Sequence, residues 1–344
     1  MRHLPAQLHS PFRQPARGGS GPVCPGILTK EPEQHGAERA DSTAGEGMTG
    51  EAMASDATSG EAVGHPAARS ALWHTAWLTQ PPGGPALLGG DYHPDVLEAA
   101  YRNGYFPMVQ ERPRSRLLRR AARPRVPVLP GSADPDELTW WAPVVRPVIL
   151  RRTVRAGRRL RQTLRRCGWT STMNRDFEGV VRRCGPERGE STWLSEKLAR
   201  AYLELHERGV SHSIEVWDGD ELVAGAFGSV IGGVFCGDSA FRTRDYAAKV
   251  AILDLCQRVM DAGIVMVDCQ DDRNGLDSIG SVLIAITDYR EVLRRTSHWR
   301  PMPPTDRRPV SRLVDWLAAG PPHRADDHPS TPATPGPDAA HAMV

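Results

Sequence analysis

The chain has 344 residues, of which 24% are Asp, Glu, Lys or Arg, and its formal net charge is +2 at pH 7. That length admits one large or two small domains, and so small a net charge excludes a partner chosen by a global field. Six cysteines without a C-x-x-C pair argue against a structural zinc site or a disulfide framework.

No apolar run reaches the ~18 residues of a membrane helix, and the N-terminus lacks the charged-then-apolar layout of a secretory signal. A cytoplasmic protein with reduced thiols is therefore expected. Residues 1–75 are rich in Gly, Pro, Ser, Ala and Glu, show no apolar period, and read as a disordered extension. Translation from Met48 or Met53 is an alternative start. A small N-terminal domain is expected over 76–147. Its clearest element is a helix from Pro94 to Tyr101, with Pro94 in the first turn and Gly104 as its stop. An Arg- and Pro-rich insertion separates Tyr105-Phe106-Pro107-Met108 from Trp140-Trp141-Ala142-Pro143.

From Val148 to Arg166 the apolar spacing (Val154, Leu160, Leu164) predicts a helix whose other faces are cationic. Phe177 to Cys184 reads as a second short helix, and Ser195 caps a third that ends at Gly209. Ser211 to Phe241 reads as two or three strands with a tight turn at Asp218-Gly219-Asp220, ending in Gly237-Asp238-Ser239. Ala247 to Ala262 is an amphipathic helix. Ile264 to Val267 is an apolar strand running into Asp268-Cys269-Gln270, Val282 to Ile286 is a second apolar stretch, and Asp288 to Arg295 a last helix. The plan is α+β, or mixed α/β. Two strands that each end in an acid beside small polar groups mark a candidate site. A disordered tail is expected over 301–344.

These segments, in this order, resemble the leucyl/phenylalanyl-tRNA–protein transferases. The resemblance rests on Leu88-Gly89-Gly90-Asp91, Ala100 to Pro107, Trp140 to Pro143, Thr192-Trp193-Leu194, Ala201 to His206, His212 to Trp217, Phe235 to Ser239 and Asp268-Cys269-Gln270. It implies transfer of Leu or Phe from its tRNA to an N-terminal Arg or Lys, which marks the acceptor protein for N-degron degradation. It also implies a C-terminal N-acetyltransferase-like (GNAT-like) domain over 148–300, with no cofactor and no metal. The sequence does not give the oligomeric state, and a monomer is the expectation.

Aminolysis of an ester is downhill, and the α-amino group has an unperturbed pKa near ~8, so aligning the amine matters more than a strong base. Gln270 suits that task, because its carbonyl oxygen accepts without carrying a charge. Asp268, two residues earlier on an extended strand, is expected to face the same side and hold the Gln270 amide. Asp238 stands where the family has Glu. At a pocket mouth, it can pair with the acceptor's N-terminal cation or with the donor's terminal adenosine.

The resemblance implies that Trp193 stacks on that adenosine, with Met108 in place of a second aromatic. It further places Phe235, Ala226, Ala240, Ile252, Leu255 and Val267 around the donor's side chain, beside Gly237 and Ser239. Ala226 and Ala240 stand where methionine is common, so either the pocket is roomier or larger neighbours refill it. Ile286 replaces a family Arg, and Asn274 or Gly275 a His. Arg151, Arg152, Arg155, Arg158, Arg159 and Arg161 are the candidate tRNA-binding residues, since phosphate contacts add affinity without reading sequence. A tRNA-binding relative without turnover is the competing reading. An acyl-CoA enzyme ranks lower, as no pyrophosphate-binding glycine loop follows a strand.

Overall fold

The computed structural model describes residues 65–81, 83–109, 126–135, 137–185, 187, 193–270 and 276–320. The expected Arg-rich insertion over 112–125 and the Asn274-Gly275 pair lie outside these residues.

The N-terminal part opens with a helical turn at Pro66–Arg69 and a short helix α1 (Leu72–Thr75). A four-stranded sheet follows, built from β1 (Leu87–Gly89), β2 (Phe106–Val109), β3 (Val128–Leu129) and β4 (Leu138–Trp141) in the order β2-β4-β1-β3. Helix α2 (Pro94–Arg102) forms as its sequence predicts. His93 caps it by accepting from the Asp95 amide, Pro94 occupies the first turn, and Val96, Leu97, Ala100 and Tyr101 are buried.

The second sheet has eight strands: β5 (Val145–Leu150), β6 (Thr170–Met173), β7 (Ser211–Asp218), β8 (Glu221–Ile231), β9 (Val234–Arg242), β10 (Met266–Asp268), β11 (Ser281–Ala285) and β12 (Arg308–Pro309). Their order is β11-β5-β10-β9-β8-β7-β6-β12, and only the β10–β9 pair is parallel. Helices α3 (Arg158–Arg166), α4 (Phe177–Cys184), α5 (Glu196–Glu207), α6 (Ala247–Asp261), α7 (Ile286–Arg295) and α8 (Leu313–Ala319) complete the mixed α+β plan. Helix α5 starts at the expected cap, Ser195 accepting from the Leu198 amide.

The large sheet is buried on both faces. One face meets α3, α6 and α8 through Ile214, Val216, Leu255 and Leu313. The other meets α4, α5, α7 and the N-terminal part through Phe177, Tyr202, Tyr101 and Tyr289. The helix expected over 148–166 forms only from Arg158. Val148 and Ile149 are fully buried in the interior strand β5 and belong to the cores on opposite faces of the sheet. A two-faced apolar strand carries no alternation to betray it.

Two further differences concern the ends. Within the expected N-terminal extension, Ala67 and Trp73 are buried, and the Trp73 indole donates to the Ala67 carbonyl at 2.8 Å. Within the expected tail, residues 304–320 pack on the core. Buried Arg258 donates to Asp254 (2.7 Å) and to the carbonyls of Pro304 (2.6 Å) and Asp306 (2.9 Å), while Arg312 grips Asp254 and Leu313 is buried. The clamp joins groups 46 and 48 residues apart, which composition alone does not reveal.

One local irregularity positions chemistry. Phe227 pairs with Ser239 and Gly228 with Gly237, so Asp238 is an extra residue on β9 with no partner on β8. This is a β-bulge, and it shifts the facing of the strand by one. Phe235 and Ala240, five residues apart, consequently enter the same core. A Cβ on Gly228 would stand 2.1 Å from the Cys236 carbonyl oxygen, so only glycine admits this close approach.

Candidate active site

The end of β10 and the β9 bulge lie side by side, because the two strands pair in parallel with Asp268 opposite Cys236. Asp268 is fully buried and forms an ion pair with equally buried Arg146 from β5. Arg146 also donates to the Gly104 carbonyl at 3.1 Å, and its guanidinium lies 4.9 Å from the Phe106 ring centre and 4.6 Å from that of Tyr289. Burial alone would lower the Arg146 pKa, but the Asp268 carboxylate more than offsets it and the net shift is upward. Asp268 accepts two more hydrogen bonds, from the Tyr289 hydroxyl and the Gln270 backbone N–H, both at 2.9 Å.

Asp268 therefore holds the backbone of Gln270, not its side-chain amide as expected. The amide NH₂ of Gln270 donates instead to Asp238 Oδ1 at 2.8 Å. The period-two argument fails because β10 ends at Asp268 and Gln270 turns into the left-handed region at φ +54°. A non-glycine residue there costs about 1–3 kcal/mol and is held by its surroundings. Here those are the two aspartates. With its NH₂ committed to a carboxylate, the Gln270 side chain has its carbonyl oxygen without a donor among the described residues.

Asp238 is not at a mouth; it is 3% exposed. Its Oδ1 also accepts from the Tyr101 hydroxyl at 2.5 Å, and the Tyr202 hydroxyl lies 2.5 Å from that of Tyr101. Its Oδ2 is buried without a partner among the described residues. Burial pushes the Asp238 carboxyl from 3.8 up to about 7, against the downward pull of Tyr101, Gln270 and Tyr202.

The folded chain thus holds this proton more tightly than the unfolded one. The stabilisation is complete below pH ~4 and is lost as pH rises through about 7. Asp238→Asn removes that titration. Its stability relative to the parent, measured by urea unfolding, is expected to be about 2 kcal/mol or more higher at pH 8 than at pH 4. An unchanged difference would contradict the assignment.

Ala226, Phe227, Phe235, Gly237, Ser239, Ile252, Leu255, Val267 and Asp268 line an apolar pocket beside these groups, closed by Cys269 and Leu276. Its enclosed void is about 20 Å³, little more than one water needs. The space beside Ala226 is therefore narrow, with Phe227, Phe235 and Leu255 among its walls. Ala240 is fully buried opposite Ala226 but does not line this void. Trp193 and Met108 are 7% and 6% exposed and sit in the core shared with the N-terminal part, so little of the Trp193 indole face is open. Ile286 is buried at the start of α7.

The candidate tRNA-binding arginines divide. Arg152, Arg155, Arg158 and Arg159 are exposed. Arg155 reaches the Asp277 carbonyl, and Arg161 donates to the Ala156 carbonyl at 2.9 Å. Arg151 turns toward α8, donating to the Trp316 carbonyl at 3.0 Å with its guanidinium 3.9 Å from the indole centre, and so anchors the C-terminal helix.

Sequence reasoning missed Arg146 and Tyr289 outright, and gave Tyr101 and Tyr202 no part in the site. Both tyrosines do lie on apolar helix faces, and nothing local reveals that their hydroxyls meet across 101 residues of chain. Among the described residues no group of His, Cys, Asp and Glu could hold a metal ion, and no helix is long and apolar enough to cross a membrane.

Residues 148–294 match the family model described as leucyl/phenylalanyl-tRNA protein transferase. The chain is 36% identical over 216 residues to the leucyl/phenylalanyl-tRNA–protein transferase of Shewanella sediminis, spanning 62% of this chain and 82% of that protein. The protein of the same name from Pseudomonas aeruginosa is 35% identical over 228 residues, 66% of this chain and 89% of its own length. The matched region contains Asp238, Asp268, Gln270 and Tyr289, and on the identity and coverage of these relatives the chain belongs to the leucyl/phenylalanyl-tRNA–protein transferase family.

Proposed function

We propose that the protein moves Leu or Phe from aminoacyl-tRNA to the N-terminal Arg or Lys of an acceptor protein, marking it for the N-degron route. The observation that carries this reading is Gln270, fixed by two buried aspartates beside an apolar pocket, its carbonyl oxygen without a donor among the described residues. The acceptor's neutral α-amino nitrogen, oriented by that oxygen, attacks the ester carbonyl carbon. The C–N bond forms, the bond to the ribose oxygen breaks, and the amine's proton ends on that oxygen. Neither oxidant nor metal is needed, because the ester is already activated. Alignment supplies up to ~7–11 kcal/mol in ideal cases.

In this reading residues 148–300 act as a GNAT-like transferase domain, 76–147 as a small domain that seals the site with Tyr101, and the exposed arginines at 152–159 contact tRNA phosphates. A second reading, tRNA binding without turnover, draws on Ile286 and on the commitment of Arg146 to Asp268, which leave no free cation beside the pocket among the described residues. Leu- or Phe-charged tRNA incubated with peptides beginning Arg, Lys or Ala separates the two. Labelled product on the Arg and Lys peptides alone is expected. Salt-dependent tRNA binding with no product on any peptide would favour the second reading.

A further inference from the structure

Tyr101 and Tyr289 close the site from inside the protein. The next residue on each helix, Arg102 and Arg290, lines a second cavity of about 450 Å³ between α1, α2 and α7. Ile231 and Leu293 contribute apolar lining and Trp77 a flat ring, while Arg102, Arg290 and Arg294 bring three guanidinium groups. Two of these cations are already compensated: Arg102 pairs with Glu98, and Arg294 with Glu291, itself part of the lining.

Arg290 differs. Among the described residues no carboxylate lies within salt-bridge range of it. Its guanidinium sits 5.2 Å from the Trp77 ring centre and donates to the Asn103 carbonyl. A half-buried, uncompensated guanidinium beside an apolar floor suits a ligand that is flat at one end and anionic at the other.

We propose that this cavity binds one nucleotide, with its base against Ile231 and Leu293 and its phosphate on Arg290, Arg102 and Arg294 flanking it. The same chemistry has two sources, an unpaired residue of tRNA or a free mononucleotide, and the first rests on the transfer reading above. The fork of Arg290 matches phosphate geometry, and the cavity is large enough to take a base together with its sugar.

The test uses the full chain, with 5′-AMP and uncharged tRNA as separate probes, and compares Arg290→Ala, the exposed Arg294→Ala, and, as a control outside the cavity, Arg200→Ala, an exposed residue of α5 paired with Glu196. If tRNA is the source, Arg290→Ala weakens tRNA binding about tenfold at low salt and lowers the salt slope by roughly one phosphate contact, ~0.7–0.9. If a free nucleotide is the source, AMP binds the parent chain, weakens about tenfold in Arg290→Ala, and tRNA binding is unchanged. Arg294→Ala is expected to move the same probe less. Should Arg290→Ala fail to fold, Arg294→Ala alone decides.

Affinities for both probes that are blind to these substitutions would overturn the proposal, as would binding of an acidic peptide alone. Loss of transfer by the parent chain with AMP binding intact would count against the transfer reading and leave the cavity assignment standing. Intact transfer with both probes blind to the arginines would do the reverse.

Discussion

Arg146→Met is expected to destabilise the protein by about 3–5 kcal/mol, the cost of stranding a buried charge. Arg146 and Asp268 are 1% and 0% exposed, so no water can replace the lost partner. The guanidinium also satisfies the Gly104 carbonyl and fills the space between the Phe106 and Tyr289 rings, which methionine fills only in part. Adding Asp268→Leu removes the stranded carboxylate and is expected to restore part of the loss, leaving the Tyr289 hydroxyl and the Gln270 N–H unmatched. Urea midpoints of the two single variants and the double variant provide the check. A single variant within 1 kcal/mol of the parent would contradict the role given to the pair.

Gln270→Ala is expected to lower the transfer rate about 10²–10³-fold, roughly 3–4 kcal/mol, the scale on which loss of a preorganised hydrogen-bonding group acts. The side chain lies at the end of a chain of constraint. Arg146 and Tyr289 hold Asp268, Asp268 holds the Gln270 backbone in its left-handed conformation, and Tyr101 and Asp238 hold its amide. Alanine keeps the backbone bond to Asp268 but removes the acceptor. tRNA affinity is expected to stay within about twofold, since the proposed phosphate contacts lie elsewhere. Gln270→Glu preserves the oxygen but sets a second carboxylate against Asp238, and is expected to recover little activity near neutral pH. Single-turnover rates measured beside tRNA dissociation constants separate a lost alignment from lost binding.

Much of this architecture is legible in the sequence, and the failures have identifiable causes. Helices α2, α5 and α6 announce themselves through caps, glycine stops and apolar period, and the β7–β8 turn through Asp218-Gly219-Asp220. The strand at Val145–Leu150 does not, because it is buried on both faces and followed at once by arginines that favour a helical reading. The sequence also singles out Asp238, Asp268 and Gln270, which the fold brings together, but not the bonds between them. A bulge at Asp238 and a left-handed Gln270 both break the strand period that relates sequence spacing to direction. Arg146 is hidden for another reason. A lone arginine among apolar residues is read as surface until its partner, 122 residues away, is known.

In the proposed reaction Gln270, set by Asp268 and Asp238, aligns the acceptor amine against an aminoacyl ester. The most direct measurement is single-turnover transfer at pH 8 from Leu- or Phe-charged tRNA, pre-bound to the enzyme, to a saturating peptide with N-terminal Arg. If Gln270 plays this part, the parent protein gives product, Gln270→Ala is slower by about 10²–10³ at unchanged tRNA affinity, and no product forms when the peptide's amine is acetylated. Equal rates for the parent and Gln270→Ala would contradict it.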